Sequence, residues 1–474
     1  MSFGVPSILR WGAVTAAVLT LGPTARVAPA QEPGPVEPVE VPLTLRDAVA
    51  EALAGNSGHR IAGSRTSIAR AEARIATGRL LPSLEAGAGF TRSVDPVFAF
   101  GTRLRQERFT EADFALDALN RPDAINDCTT DVGLRWVPLD ASAWAGRAAA
   151  GSRAEAADRE EAWSAERTEF RTKALYFAAA GAGAALTAAE AEEAAAEAAF
   201  ELFRRREGRG LLTEADVLQA EAELRAAEAH RLAVARDAER AREDLALHLG
   251  WSVDRVPVPV DSLTAPAPPE PAAAAPSARS DVRALAAARE AAVSDARRAG
   301  LSFLPRLEAF AGWTSHAASA FEVDGSDWTV GLALRWTPFA GFEQIGDRQR
   351  AVQAREIARI RHEEALRVAH AEAEQARRDA RASRAALEAT RAARRAAAEA
   401  RVLMRRRFEE GLATAAEFLQ SEARAAGARG REVAALVDYN VALARLELVA
   451  PVAPGAAGSE GGADGIDEAE RELR

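Results

Sequence analysis

The chain contains the same three segments twice, in the same order. LPSLEAGAGFT at 81–91 returns 223 residues later as LPRLEAFAGWT, and LRWVP at 134–138 returns 200 residues later as LRWTP. A third segment, RRREGRGLLTEADVLQ from Arg204, returns 201 residues later as RRRFEEGLATAAEFLQ. These matches indicate an internal duplication of about 200 residues, which restricts the fold to two copies of one supersecondary unit.

The two copies differ in length mainly at one place. The spacing between them falls from 223 residues at the first match to 200 at the second, so a loop in repeat 1, about 92–130, is 23 residues longer than its counterpart. Between the second and third matches the spacing changes by one residue. A long segment has kept its length while a loop has not, which favours one two-fold pseudo-symmetric body over unrelated domains.

The N-terminus has the pattern of a secretory signal peptide. Arg10, an apolar run and a small-residue cleavage site predict a signal peptide over 1–30, followed by an extended tether over 31–42. The apolar run is too short to span a bilayer, and no later stretch has 18 consecutive apolar residues. Cys128 is the only cysteine, so no intrachain disulfide can form. Acidic and basic residues are interspersed at a net charge of −10, which argues against a nucleic-acid partner.

Each repeat opens with a helix and two strands. Thr44 and Asp47 resemble a capping box and predict a first helix over about 44–80, interrupted at Gly55–Gly58. After Pro82 the apolar period changes from 3.6 to 2, which is typical of strands. The predicted strands are 83–92 and 129–138 in repeat 1, and 306–315 and 327–337 in repeat 2. Each is about ten residues long, the length of a tilted strand that crosses a bilayer.

The alternation fits either a half-buried strand of a soluble sheet or a strand of an outer-membrane barrel. Aromatic residues near the strand ends, on the apolar face, favour a lipid interface. The residues predicted to face lipid are Phe90, Leu134, Trp136, Trp313, Trp328, Leu332, Leu334 and Trp336. The opposite face carries small residues, among them Gly87, Gly133 and Gly331, which suits an open passage.

Very long helices follow the strands. Residues 141–207 and 341–408 contain no proline and consist mainly of Ala, Glu and Arg, so each predicts a helix roughly 100 Å long. Matched turns lead to returning helices. The remaining boundaries are repeat 1 at 43–251 with its returning helix at 213–249, a Pro/Ala-rich linker at 252–279, repeat 2 at 280–450 with its returning helix at 414–450, and a disordered tail at 451–474.

No constellation of catalytic residues is recognisable. The six histidines are scattered, and His362-Glu363 resembles the start of a zinc-protease helix but has Leu366 where the second histidine ligand would stand. No glycine-rich phosphate loop precedes a helix. We therefore expect no enzyme activity, no catalytic residues, no cofactor and no metal.

Four strands cannot close a barrel alone, because an open sheet edge is not tolerated in lipid. Two copies would give an eight-strand barrel, and side chains would fill its interior. Three copies would give a twelve-strand barrel with an open lumen. The small residues of the inward face favour three. The predicted fold is therefore mainly α with membrane β: as a trimer, a 12-strand outer-membrane β-barrel on a 12-helix periplasmic α-barrel.

The order of these segments resembles TolC-type outer-membrane efflux proteins. The resemblance covers about 43–450 and is carried by LTLRDAVAEAL at 43–53, the paired LP strand openings, the duplicated hairpins and YNVALARLEL at 439–448. One departure is Asn56-Ser57-Gly58, where the family often has Asn-Pro. The resemblance implies a homotrimer in the outer membrane of a Gram-negative-type bacterium. It also implies a periplasmic adaptor protein and an inner-membrane transporter as partners, and a passive exit duct as function.

Other classes remain open at this point. A soluble periplasmic coiled-coil adaptor or a structural tether without a pore would also have long Ala/Glu/Arg hairpins, although adaptors lack paired strands of lipid-spanning length. Sequence identifies neither the exported substrate nor the role of Cys128 or of the loop 92–130.

Two groups of residues follow from the hairpin turns. The residues expected at the adaptor-contacting tips are Gly210, Leu211, Leu212, Thr213, Gly411, Leu412 and Thr414. By resemblance, Asp216 and Glu417 are candidates for the pore entrance, with Gln420 where a further acid could follow. A ring of such carboxylates would select cations, and mutual repulsion would raise the pKa of some members.

Overall fold

A computed structural model describes residues 39–252, 254–267, 275–320 and 322–450. The predicted signal peptide 1–30 and the predicted tail 451–474 lie outside the described residues, as does most of the tether 31–42.

The order of elements is duplicated, as the sequence predicts. Repeat 1 contains β1 (Val39–Leu43), α1 (Leu45–Gly55), α2 (Ser57–Gly78), β2 (Ser83–Ser93), α3 (Pro96–Arg105), α4 (Leu116–Asn120), β3 (Ile125–Leu139), α5 (Ala141–Glu207) and α6 (Glu214–Leu249). Repeat 2 contains β4 (Arg255–Pro259), α7 (Ser280–Leu301), β5 (Arg306–Ala317), β6 (Gly325–Arg335), α8 (Glu343–Glu409) and α9 (Ala415–Val449). Short 3-10 helices lie at Glu111–Phe114 and Pro276–Ala278.

The helices form a layer around α5 and α8, each of which has 67 residues. Towards the sheet, α5 packs against α2 and α7, and α7 packs against α8; towards the far end, α5 packs against α6 and α9, and α9 against α8. The buried positions of α8 are mostly alanines, which let neighbouring helices approach closely. Each half of the layer is therefore a row of four helices, with α8 at one edge throughout.

Helix α5 contains an 18-residue window that is long and apolar enough, by length and composition, to cross a membrane. Only 22% of that window is buried within the chain. Its apolar character comes largely from alanine, for example in the run FAAAGAGAALTAA from Phe177. Because α5 continues into charged turns on both sides and packs against five other helices, its place is in the helical layer.

The four long strands form one antiparallel sheet in the order β2-β3-β5-β6. Leu134 of β3 lies opposite both Leu84 of β2 and Ala311 of β5, and Trp313 of β5 lies opposite Trp328 of β6. The register therefore places the apolar residues of all four strands on one face. Within the described chain, β2 and β6 are the two edges of this sheet.

A second, small sheet lies where the sequence predicts a tether and a linker. Strands β1 and β4 pair in parallel, with Val41 opposite Pro257. The Tyr176 hydroxyl, buried beside them, lies within hydrogen-bond distance of two acceptors, the carbonyl oxygen of Leu43 at 2.9 Å and the carboxylate of Asp261 at 2.8 Å, and accepts the Asp261 N–H at 3.2 Å. Prolines are tolerated here because both strands are edge strands.

Candidate functional site

The eight residues predicted to face lipid share one face of the sheet and are all exposed. They are Phe90, Leu134, Trp136, Trp313, Trp328, Leu332, Leu334 and Trp336. Trp336 stands one residue beyond the end of β6, rather than within it. A contiguous exposed apolar face of this size requires a cover, because soluble proteins rarely expose such patches.

Two tryptophans mark the helical end of this face at equivalent places in the two repeats. The indole N–H of Trp136 donates to the carbonyl oxygen of Leu80 at 3.0 Å, and that of Trp336 donates to Phe303 at 3.1 Å. Both acceptors lie between a helix and the following strand. Tryptophans with an apolar body and a satisfied N–H are typical of membrane–water interfaces.

The opposite face of the sheet is polar but less open than the small residues suggest. Asp131 covers Gly87, and the Phe310 ring covers Gly331 so closely that an added Cβ would lie 2.4 Å from it. Gly133 and Gly312, by contrast, face open space. The sequence interpretation missed Phe310 because the alternation along β5 assigns its position to the polar face, where an aromatic residue is not expected.

The far ends of the helical hairpins have matching turns. Gly210 and Gly411 have φ of +71° and +75°, a left-handed conformation that favours glycine. The following amides close the turns: Leu211 N–H donates to Arg206 at 3.0 Å, and Leu412 N–H donates to Arg407 at 2.7 Å. The same geometry in both repeats explains why this motif is duplicated in the sequence.

The tip leucines divide into two kinds. Leu211 and Leu412 are 67% and 62% exposed at otherwise charged helix ends. Leu212 instead packs against a buried cluster between the hairpins. Of the predicted tip residues, Leu211 and Leu412 are thus free to contact another protein, whereas Leu212 contributes to the stability of the tip.

That cluster joins the two repeats through three phenylalanines. The Phe408 ring stacks on Phe203 with centroids 5.3 Å apart and on Phe418 with centroids 4.9 Å apart. All three side chains are buried. The sequence interpretation missed this cluster because Phe203 contacts Phe408 and Phe418, which lie more than 200 positions further along the chain.

Arg206 adds a contact that the second repeat does not reproduce. Its guanidinium donates to the carbonyl oxygen of Phe408 at 2.9 Å and lies 4.6 Å from the centroid of that ring. The equivalent residue, Arg407, donates to Leu412 of its own turn at 3.2 Å. The two turns of the tip therefore have the same backbone geometry, but their equivalent arginines make different contacts.

The candidate entrance carboxylates cap their own helices. The N–H and hydroxyl of Thr213 donate to Asp216 at 2.9 and 2.7 Å, and Thr414 donates to Glu417 at 2.8 and 3.0 Å. These hydrogen bonds, the backbone one first, lower the pKa of both carboxyls. Within one chain the pKa of both carboxyls is thus lowered, whereas mutual repulsion in a ring of like charges was expected to raise the pKa of some members. Gln420 is exposed one turn further along α9.

An exposed apolar sheet face with interfacial tryptophans, joined to helices about 100 Å long, defines an outer-membrane channel protein with a periplasmic helical part. The family model described as outer membrane efflux protein matches residues 49–251 and 274–450. The chain belongs to that family.

Several solved structures of membrane proteins share this fold. The chain is similar to the CmeC outer membrane channel of Campylobacter jejuni, with 15% identity, a TM-score of 0.72 and 85% of each chain covered. It is also similar to VceC of Vibrio cholerae, with 21% identity, a TM-score of 0.68, and 85% of this chain and 95% of that chain covered. A membrane protein from Pseudomonas aeruginosa gives 21% identity and a TM-score of 0.71, with 85% and 93% covered.

A comparison with curated proteins gives no match. The family and the fold together establish an outer-membrane efflux exit duct whose helices lie in the periplasm. The family consists of channel proteins.

Proposed function

We propose that three copies of this chain form the outer-membrane exit duct of a tripartite efflux pump or a type I secretion system, which conducts substrates passively from an inner-membrane transporter. The observation that carries this proposal is the four-strand sheet whose apolar face is exposed and whose edges, β2 and β6, are unpaired within the described chain. In lipid each unpaired backbone group costs several kcal/mol, so the edges need partners.

Apolar residues at the edges of the helical row support the same assembly. Ile61, Ile68 and Ile75 recur at seven-residue spacing on α2 and are exposed, and Ile357 and Ile360 are exposed on α8. Helices α2 and α8 stand at opposite edges of the row near the sheet. Pairing α2 of one copy with α8 of the next would cover both stripes and continue the β2–β6 seam into the helical part.

The adaptor would dock at the tips through Leu211 and Leu412. Both side chains project from helix ends that are otherwise charged, and both are exposed in the chain. Apolar residues surrounded by a polar rim are typical of the centre of a protein interface.

The inner entrance would be lined in part by Asp216, Glu417 and Gln420. The lowered pKa of the two carboxyls keeps them ionised at neutral pH, so three copies of each would present a negative entrance. A capped carboxylate still carries its charge, and rings of acidic residues favour cations.

A coiled-coil adaptor or a tether without a pore would place the sheet in water. The exposed tryptophans and leucines of its apolar face argue against this, because such a surface would aggregate.

The test is to purify the full chain from outer membranes and measure its size, crosslinking pattern and conductance in planar bilayers. We expect heat-modifiable trimers that form ion-conducting channels. Soluble monomers, or membrane-bound protein that never conducts, would refute the exit-duct function.

A further inference from the structure

The long loop of repeat 1 is a folded unit. Asp95 caps α3 by accepting the N–H of Phe98 at 2.7 Å, and Pro96 opens the helix. Beyond α3, Phe109 packs edge-on against Phe100 and Phe114, with centroids 5.0 and 5.1 Å apart. An ion pair between Arg103 and Asp113 also holds the segment together. The extra residues of repeat 1 thus form a small structure of their own, here named the cap (residues 95–122).

One face of α3 rests on the sheet. Ala99 and Thr102 of α3 and Gln106, the residue that follows the helix, are spaced at three and four residues and are buried. Gln106, 2% exposed, donates through Nε2 to the carbonyl oxygen of Asn126 at 2.8 Å and to Asp127 at 3.4 Å.

A buried pair lies beneath this contact. The Nδ1 atom of His316 lies 3.0 Å from Oδ2 of Asp127, and both side chains are buried. The cap therefore covers polar groups of two strands, β3 and β5, that would otherwise face open space.

A third strand meets the cap at a glycine. A Cβ atom added to Gly325, the first residue of β6, would lie 2.0 Å from the carbonyl oxygen of Arg105. That oxygen belongs to the backbone of α3, so it cannot move aside as a flexible side chain could. The close approach fixes the end of α3 directly over the start of β6.

All three contacts are on the polar face of the sheet. Alternate residues of a strand share a face. Asp127 is four residues from Asp131, which covers Gly87 on the polar face, and His316 is four residues from Gly312 on the same face. The contacts are also at the end of the strands away from the long helices, since α5 follows the opposite end of β3. In the duct, this position is the lumen side of the outer mouth.

We propose that the cap is a constriction built into the outer mouth, so that three caps set the largest solute that leaves or enters through the barrel. This proposal rests on the proposed function, because it needs the polar face to line a trimeric duct.

The experiment compares two glycine-to-alanine variants of the full chain. Gly325→Ala places a methyl group against the Arg105 carbonyl and displaces the cap, whereas Gly312→Ala adds the same methyl group to the same face in open space. Each protein is reconstituted, and single-channel conductance is measured together with the entry of sugars of increasing size into proteoliposomes. We expect Gly325→Ala to conduct more and to admit larger sugars, with Gly312→Ala unchanged.

A deletion of residues 96–122, joined by a short Gly/Ser linker, decides the matter if Gly325→Ala does not assemble. Heat-modifiable trimers serve as the assembly control. An assembled deletion variant with the conductance and size limit of the wild type would overturn the proposal. A wild-type protein that forms no channels would refute the exit duct itself, which separates the two failures.

Discussion

Leu332→Arg provides the sharpest test of which sheet face meets lipid. Leu332 lies in β6 opposite Ala309 and is 72% exposed on the apolar face. It stands four residues from both Trp328 and Trp336, roughly 13 Å along the strand from each at about 3.3 Å per residue. The two tryptophans would mark the edges of an apolar band about 25 Å tall, so Leu332 would lie near its middle.

The cost follows from that depth. An arginine on the lipid face at the bilayer midplane destabilises a barrel by about 2–4 kcal/mol. Since 1.4 kcal/mol is a factor of ten, each copy would lose a factor of roughly 30 to 700 in its folding equilibrium. Three copies of the substitution would act on one trimer.

The neighbouring residue provides the control. Ala333 is on the polar face opposite Glu308, so Ala333→Arg places the same charge where water and a carboxylate receive it. Both variants are refolded into lipid vesicles across a urea series, and insertion is measured by heat-modifiable gel mobility. We expect Leu332→Arg to lose insertion at lower urea than the wild type, and Ala333→Arg to insert normally. Loss only in Ala333→Arg would show that the strand faces are assigned the wrong way round, and equal behaviour of the two variants would refute the assignment of a single face to lipid.

Three further predictions concern the tips. Replacing Leu211 and Leu412 with Asp should abolish export while trimers persist, and wild-type export from that variant would exclude the tips as the docking surface. Asp216→Asn with Glu417→Gln should reduce cation preference in single-channel recordings. Because folding lowers the pKa of both acids, the stability that their helix caps contribute is present above about pH 4, and it is lost as the pH falls through the pKa values of the folded state. Far-UV circular dichroism can follow that loss. Phe408→Ala, which empties the centre of a three-ring stack, should destabilise the tip by about 3–5 kcal/mol and expose it to limited proteolysis, whereas unchanged cleavage would show that the stack does not hold the hairpins together.

Much of the fold is predictable from the sequence because the pattern of each main element occurs in both repeats and can be compared between them. The long helices, predicted at 141–207 and 341–408, are observed at Ala141–Glu207 and Glu343–Glu409. The strands lie within a few residues of their predicted positions, since a period of two and the prolines near their ends are local signals. The interruption of the first helix, predicted at Gly55–Gly58, falls at Asn56.

Contacts between distant residues were not predictable in the same way. The pairing of β1 with β4 joins two segments more than 200 residues apart, and each alternates apolar residues over only five positions that include proline, which is too little to indicate a strand. The same holds for the contact of Gln106 with Asp127, because the extra loop has no counterpart in repeat 2 with which to compare it. Local pattern gives the elements, whereas the β1–β4 pairing depends on how the two repeats are brought together and the Gln106 contact depends on how the extra loop folds onto β3.

The unequal arginines at the tip have a mechanical consequence. Six identical hairpins in a ring would have six equivalent seams, and any of them could open. Arg206 and the Phe203–Phe408 stack join the two hairpins of one chain, whereas among the residues that the structure describes the Arg407 side chain hydrogen-bonds to its own turn at Leu412. Three copies would therefore move at the inner end as three stiff wedges, with the compliance of the ring concentrated in the three seams between subunits.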